Sequence, residues 1–196
     1  ATGVSASVLV AGNKILIQRT RLQHAGGTVT VEGGLTNADQ ANLLSLKSNI
    51  KRVDIPGLFK AFDNFGQDAI TAGNMKGKLS AKAKLELVLN DKAEIKGNSM
   101  KGAIDFSVKN GELINFEPLV KITTTALKNR DFSHITFAEL QNRFSVNGSA
   151  FYIPKMEIRS NVVVLFVEGI YDTKKGTDMS IQVPVSNLSK TENENM

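Results

Sequence analysis

The sequence contains no cysteine. That excludes disulfides, thiolate catalysis and zinc ribbons, and it fits either the cytosol or a periplasmic protein that does without bridges. Long apolar runs are also missing. The most apolar stretch, Val162 to Val167, is far shorter than the roughly 20 residues that span a bilayer as a helix. No signal-peptide pattern stands at Ala1. Histidine is scarce. His24 and His134 have no second histidine at helical spacing and no carboxylate cluster beside them, so neither reads as a metal ligand. His24 reads as a solvated loop residue and His134 as a structural residue at a strand start. There is no Gly-x-Ser-x-Gly elbow. Gly73-Asn74-Met75-Lys76-Gly77-Lys78 has the wrong spacing for a phosphate loop and leads into a strand rather than a helix. Asp172 and Asp178 flank a lysine-rich turn and read as turn residues. No catalytic, cofactor-binding or metal-binding residue is assigned, and the chain is expected not to be an enzyme.

A chain of 196 residues forms one domain, or two packed halves divided at 74/75, with 189–196 as a polar tail. At this size it buries roughly 70% of its unfolded surface and needs no staples. The net charge is +5, from 24 basic and 19 acidic residues, with no arginine-rich block. Mild basicity suits a solvated surface or an anionic lipid surface. Nucleic acid is not expected as a partner, because the few aromatics are mostly phenylalanines on apolar faces. The start in mid-pattern at Ala1-Thr2-Gly3-Val4 and the polar end suit a segment of a longer protein.

The dominant pattern is alternation of period two, the mark of half-buried strands. Leu79, Ala81, Ala83, Leu85, Leu87 and Leu89 alternate with lysines and other polar residues. The pattern recurs at Met100–Val108, at Met156 and Ile158, and at Met179–Val185. Weaker strands are predicted at Val4–Val10, Lys14–Arg21, Thr28–Glu32 and Leu44–Val53. Asn110-Gly111 and Asn147-Gly148 predict hairpin turns, because both positions tolerate positive φ. Gly26-Gly27, Gly33-Gly34, Asn90-Asp91 and Lys175-Gly176 predict further turns. Met75-Lys76-Gly77 and Met100-Lys101-Gly102 echo each other ahead of two strands, as repeats of one sheet do. A short helix is expected from Ile55, with Asp54 as its cap, Pro56 in its first turn, and Leu58, Phe59, Phe62 and Phe65 on one side. A second helix is expected over Phe116–Lys128. The fold class is therefore mainly β: a curved, mostly antiparallel sheet, groove-like or folded into a sandwich, with one or two short helices.

Two faces follow from the alternation. The polar face carries a basic stripe, Lys76, Lys78, Lys82 and Lys84, which suits a solvated face or contact with anionic head groups. The apolar face needs cover from a second sheet, from helices or from a ligand. A trough lined this way holds acyl chains, and Leu85, Leu87, Ile104 and Phe106 are its candidate lipid-facing residues.

The C-terminal half carries a more specific pattern. A Phe and Leu strand over 135–146 precedes Ile153-Pro154-Lys155-Met156-Glu157-Ile158-Arg159-Ser160. A strand ending at Gly169 and a last alternating strand follow. This resembles the C-terminal region of AsmA-like proteins of Gram-negative bacteria, and Met75 to Phe116 resembles that family's glycine-led strands. The resemblance covers about two-thirds of the chain, and residues before Asp54 fit it loosely. It implies the periplasmic part of a parent anchored in the inner membrane, with a role in outer-membrane biogenesis or phospholipid transport. Its partners would be phospholipid or envelope proteins. The motifs are structural, so they imply no catalytic residue and no cofactor. The other reading left open is a β-sandwich module that binds proteins or acts as a scaffold in the cell envelope.

Overall fold

The computed structural model describes residues 1–38, 41–66, 71–116 and 131–184. Eleven strands form one sheet: β1 (Thr2–Ser5), β2 (Val8–Ala11), β3 (Lys14–His24), β4 (Gly27–Ala38), β5 (Ala41–Asp54), β6 (Met75–Leu89), β7 (Lys101–Ile114), β8 (His134–Asn147), β9 (Ala150–Arg159), β10 (Val164–Asp172) and β11 (Gly176–Gln182). Every pairing is antiparallel, and from β3 onward each strand pairs with the next in sequence. The sheet is an open, curved meander. The expected Val4–Val10 strand is two short pieces, β1 and β2, which share the outer side of β3. The β5–β6 ladder, Asn42–Asp54 against Leu89–Lys78, runs across the 74/75 division.

Register carries the alternation from strand to strand. Leu35, Leu44 and Leu87 form one row of the apolar face. Leu46, Leu85, Gly102 and Val146 form another, and Val53, Leu79, Val108 and Leu140 a third. The core sits where this face crosses β7 to β10. Val108, Leu113, Ile135, Phe137, Leu140, Ile158, Leu165 and Val167 are all buried there, with Phe132, Val163 and Ile55 packed over them.

One helix, α1 (Ile55–Ala61), covers an end of this core. Ile55 and Leu58 are its buried residues, and Phe59 packs partly against the cluster. The expected apolar side does not run on. The helix stops at Ala61 because Asp63 and Asn64 take positive φ, and Phe62 is left 57% exposed. Asp54 occupies the cap position without a side-chain capping bond, and its carboxylate pairs with Lys78 at 3.0 Å instead. The second expected helix falls almost wholly outside the described residues, as does Val185.

Two turn assignments are corrected. Asn110-Gly111 lies inside β7. Asn110 takes φ 51°, and the register to β6 shifts there, with Asn110 and Gly111 together opposite Gly77, so the pair forms a bulge rather than a reversal. The missing side chain of Gly111 is the space that the Phe137 ring fills. Gly33-Gly34 lies inside β4, paired on both sides, with Gly33 tight against the backbone of Ser45. Asn147-Gly148 does turn β8 into β9, and Ala25-Gly26 forms a tight two-residue hairpin with both φ positive. The Met-Lys-Gly echo starts neighbouring strands, and Gly77 and Gly102 share φ values of 134° and 156°.

The ladder weakens once. β8 and β9 pair only at Ser145–Asn147 with Ala150–Tyr152. Pro154 follows, and it has no N–H to donate. The Asn142 side chain donates to the Pro154 carbonyl at 2.9 Å across the gap. The two strands' ends meet again where Thr136 N donates to Asn161 Oδ1 at 2.8 Å and Asn161 N donates to the Thr136 carbonyl at 3.0 Å.

Truncation should cost most beneath this core. Ile135→Ala is expected to destabilise by about 2–5 kcal/mol. Leu16→Ala, on the exposed N-terminal part, should stay within about 0.5 kcal/mol. Urea midpoints of the two variants check this, and equal losses would mean the core does not sit where the burial places it.

Candidate functional site

The four candidate lipid-facing residues share one face. Ile104 pairs with Ala83 and Phe106 with Ala81, on the same alternation as Leu85 and Leu87. They differ in access. Leu87 is buried, whereas Leu85, Ile104 and Phe106 are half-buried. Phe106 meets the Phe144 ring edge to face, with centroids 4.7 Å apart, and packs against the core. Leu85 and Ile104 are the two with free surface and no place in the core cluster.

Exposure of the apolar face rises toward the N-terminal strands, although Val53 on β5 and Leu87 on β6 are still buried. Val108 on β7 and Ile135 on β8 are each 2% exposed. Leu35, Leu44, Leu46 and Leu85 on β4 to β6 are half-buried. Ile15 on β3 is 37% exposed and Val10 on β2 67%. Register joins these residues: Val10 pairs with Ile15, Ile15 with Leu35, and Leu35 with Leu44. One apolar surface therefore runs from a packed core out to water.

The polar face holds two surface depressions. One, of about 900 Å³, is lined by Lys14, Leu16, Leu43, Lys47, Lys84 and Lys101, among others. The register sets these residues on the alternation opposite to Leu46 and Leu85. Gly34 and Ser45, with little or no side chain, lie between these walls. The second, of about 550 Å³, lies along Asn49, Lys82, Asp105, Gln141 and Arg143. Their linings also take in residues of the apolar alternation, Leu46 and Leu85 in the first and Ile50 and Phe106 in the second. Long charged side chains fence off space on this side, whereas leucines and isoleucines fill the other.

The basic stripe divides in two. Lys76 and Lys78 are answered by Glu112 at 3.1 Å and Asp54 at 3.0 Å. Lys82 and Lys84 make no ion pair among the described residues.

The histidines do not meet. His24 is half-buried rather than solvated, and Nε2 donates to the Gly57 carbonyl at 3.1 Å. Together with the bond from Asp54 N to the Ala25 carbonyl, this ties the β3–β4 turn to the start of α1. His134 opens β8 and lies 3.1 Å from Glu112, which also takes Lys76. These two hydrogen bonds, His134 first, hold the Glu112 carboxyl below its ordinary value of 4.5. The trio lies at the surface, with Glu112 half-buried between Lys76 and His134. Among the described residues, no group of three or more histidines and carboxylates is placed to hold a metal ion. Asp172 accepts from the backbone N–H groups of Lys174 and Lys175, which closes the β10–β11 turn. Among the described residues, no helix is long and apolar enough to cross a membrane. Comparison with known proteins gives no match to a family model, a curated protein or a solved structure.

The Glu112 contribution has a definite pH sense. A carboxylate held low stabilises the fold above its unfolded value, and that stabilisation is lost as pH falls through the lowered one. Glu112→Gln should therefore lower the urea midpoint at neutral pH, and the gap to wild type should close at acid pH below the ordinary carboxylate range. A gap that persists there would assign the loss to packing rather than charge.

Proposed function

We propose that the chain is a non-catalytic lipid-handling element whose apolar face shields acyl chains. One observation carries this reading: a single apolar surface passes from a dry core at β7–β10 to half-buried leucines at β4–β6 and exposed valines at β2. Burying apolar area from water stabilises by about 25 cal/mol per Å². An acyl chain laid along Leu35, Leu44, Leu46 and Leu85 would remove area from both partners, and the hydrophobic gain needs no directional contact. The described residues offer one helix, at the far end of β5 and β6. In this reading the chain is the C-terminal, periplasmic part of an AsmA-like protein of the Gram-negative envelope. It serves outer-membrane biogenesis or phospholipid transport, with its parent anchored in the inner membrane. The sequence pattern over 135–183 and the open, curved sheet support that assignment.

Native mass spectrometry of the purified protein, with lipid extraction in parallel, tests the reading. Phospholipid should accompany the wild type and be lost from Leu85→Asp and Ile15→Asp, with circular dichroism unchanged. Protein that is free of lipid and takes up none when it is added would remove the proposal.

A scaffold role through protein contacts is the second reading, and one feature favours it. The edge strand β2, Val8-Leu9-Val10-Ala11, carries no charge and no proline, and among the described residues nothing pairs with its outer side. Such an edge accepts another strand. Leu9→Lys with Ala11→Lys, on the side away from Val8 and Val10, should abolish any self-association or partner capture in sedimentation experiments and leave co-purified lipid in place. Association unchanged by these lysines would rule out the edge.

A further inference from the structure

On the polar face, Lys47 and Lys84 stand directly opposite each other in the β5–β6 ladder, and Glu32 stands opposite Lys47 on the β4 side without an ion pair. Like charges at that spacing repel and weaken a sheet. Elsewhere on the face several cations are answered, though Lys82 is not: Lys76 meets Glu112, Lys78 meets Asp54, and Arg143 meets Asp105 at 3.4 Å. Lys47 and Lys84 have no ion-pair partner among the described residues. They also wall the 900 Å³ depression. Its lining sets Lys14, Arg19, Lys47, Lys84 and Lys101 against only Glu32 and Glu86.

Two exposed leucines, Leu16 and Leu43, stand among these charges in the lining, and Leu9 lies beside Leu16 across the β2–β3 pairing. Leu9, Leu16 and Leu43 are 48%, 42% and 46% exposed. Register places them on the polar face: Leu9 pairs with Leu16, Leu16 with Gly34, and Gly34 with Ser45, two residues from Leu43. Leucines exposed among lysines are the composition of a surface that lies in a membrane interface. Cations meet the phosphates there, and aliphatic tips enter the boundary between head groups and acyl chains. The depression has no aromatic in its lining. Single-stranded nucleic acid depends on aromatic stacking, so this surface does not suit it.

We propose that the polar face of β2–β6 docks on a bilayer surface rich in acidic phospholipid, with Lys47 and Lys84 at its centre and Leu9, Leu16 and Leu43 entering the interface. A phosphate between Lys47 and Lys84 would turn their repulsion into shared attraction. The short residues Gly34 and Ser45 leave room for a head group. This proposal does not rest on the acyl-shielding reading, which uses the opposite face.

The test is flotation of the whole chain with phosphatidylcholine vesicles, with and without phosphatidylglycerol. Binding should require phosphatidylglycerol. It should fall roughly tenfold or more in the Lys47→Glu/Lys84→Glu variant, because each basic residue near such a surface contributes separately. It should weaken as salt shortens the Debye length below about 8 Å. Leu16→Ser/Leu43→Ser should reduce binding while keeping its dependence on phosphatidylglycerol. Circular dichroism and co-purified lipid should match wild type in all variants, which separates this proposal from the acyl-shielding one. Absence of vesicle binding, equal binding to neutral vesicles, full binding by the charge-reversed variant, or stronger binding to single-stranded RNA would each overturn it.

Discussion

An open sheet must hide one face from water with whatever the chain can spare to cover it. Here the cover is concentrated at β7 to β10, where Ile55, Phe132 and Val163 close over Val108, Ile135 and Leu165. The rest of the structure follows from that allocation. The β3–β4 turn and His24 fix the start of α1, because a seven-residue helix has little stability of its own. The bulge at Asn110-Gly111 lets the Phe137 ring lie flat on its neighbour strand. Away from this end the same alternation continues with no helix over it among the described residues, and its exposure rises to that of Val10.

The alternation in the sequence was enough to read the architecture. Period-two patterning places Leu79–Leu89 on one long strand, and the short turns at β3–β4, β8–β9 and β10–β11 predict antiparallel neighbours there, whereas the longer links from β5 to β8 leave the order to the fold. Turn chemistry was less decisive. Asn-Gly tolerates positive φ wherever it stands, so the dipeptide at 147–148 reverses the chain while the one at 110–111 only kinks it. The difference lies in Phe137, which is distant in sequence and occupies the space above Gly111. Gly33-Gly34 reads as a turn for the same reason, yet both glycines pair across two ladders. The helix was placed correctly at its start and extended too far, because Asp63 and Asn64 adopt positive φ that no periodicity reveals.

The candidate site was legible in part. The shared face of Leu85, Leu87, Ile104 and Phe106 follows from parity alone. Their unequal burial does not, because it depends on which neighbours the fold brings over each strand. The basic stripe was visible as a stripe, but its division was not. Glu112 and Asp54, which answer Lys76 and Lys78, lie on other strands, and so does Lys47, which opposes Lys84. Cross-strand register sets which charges face a lysine, and side-chain reach then decides the pairing, since Lys82 faces Asp105 and Lys47 faces Glu32 without an ion pair.

The gap between β8 and β9 has a mechanical meaning. These strands are fastened at two ends, beside the Asn147-Gly148 turn and at Thr136 with Asn161, with a single side-chain bond from Asn142 between them. A sheet joined by continuous ladders bends as one plate. A sheet stitched this sparsely along one line bends there first, as paper bends along a row of perforations. The strip made of β9 to β11 is therefore held to the rest by the buried side chains that cross this line, Ile135 and Leu140 on one side and Ile158 and Leu165 on the other, more than by its ladder. Pro154 keeps that line from knitting shut, since a proline has no hydrogen to give the facing carbonyl.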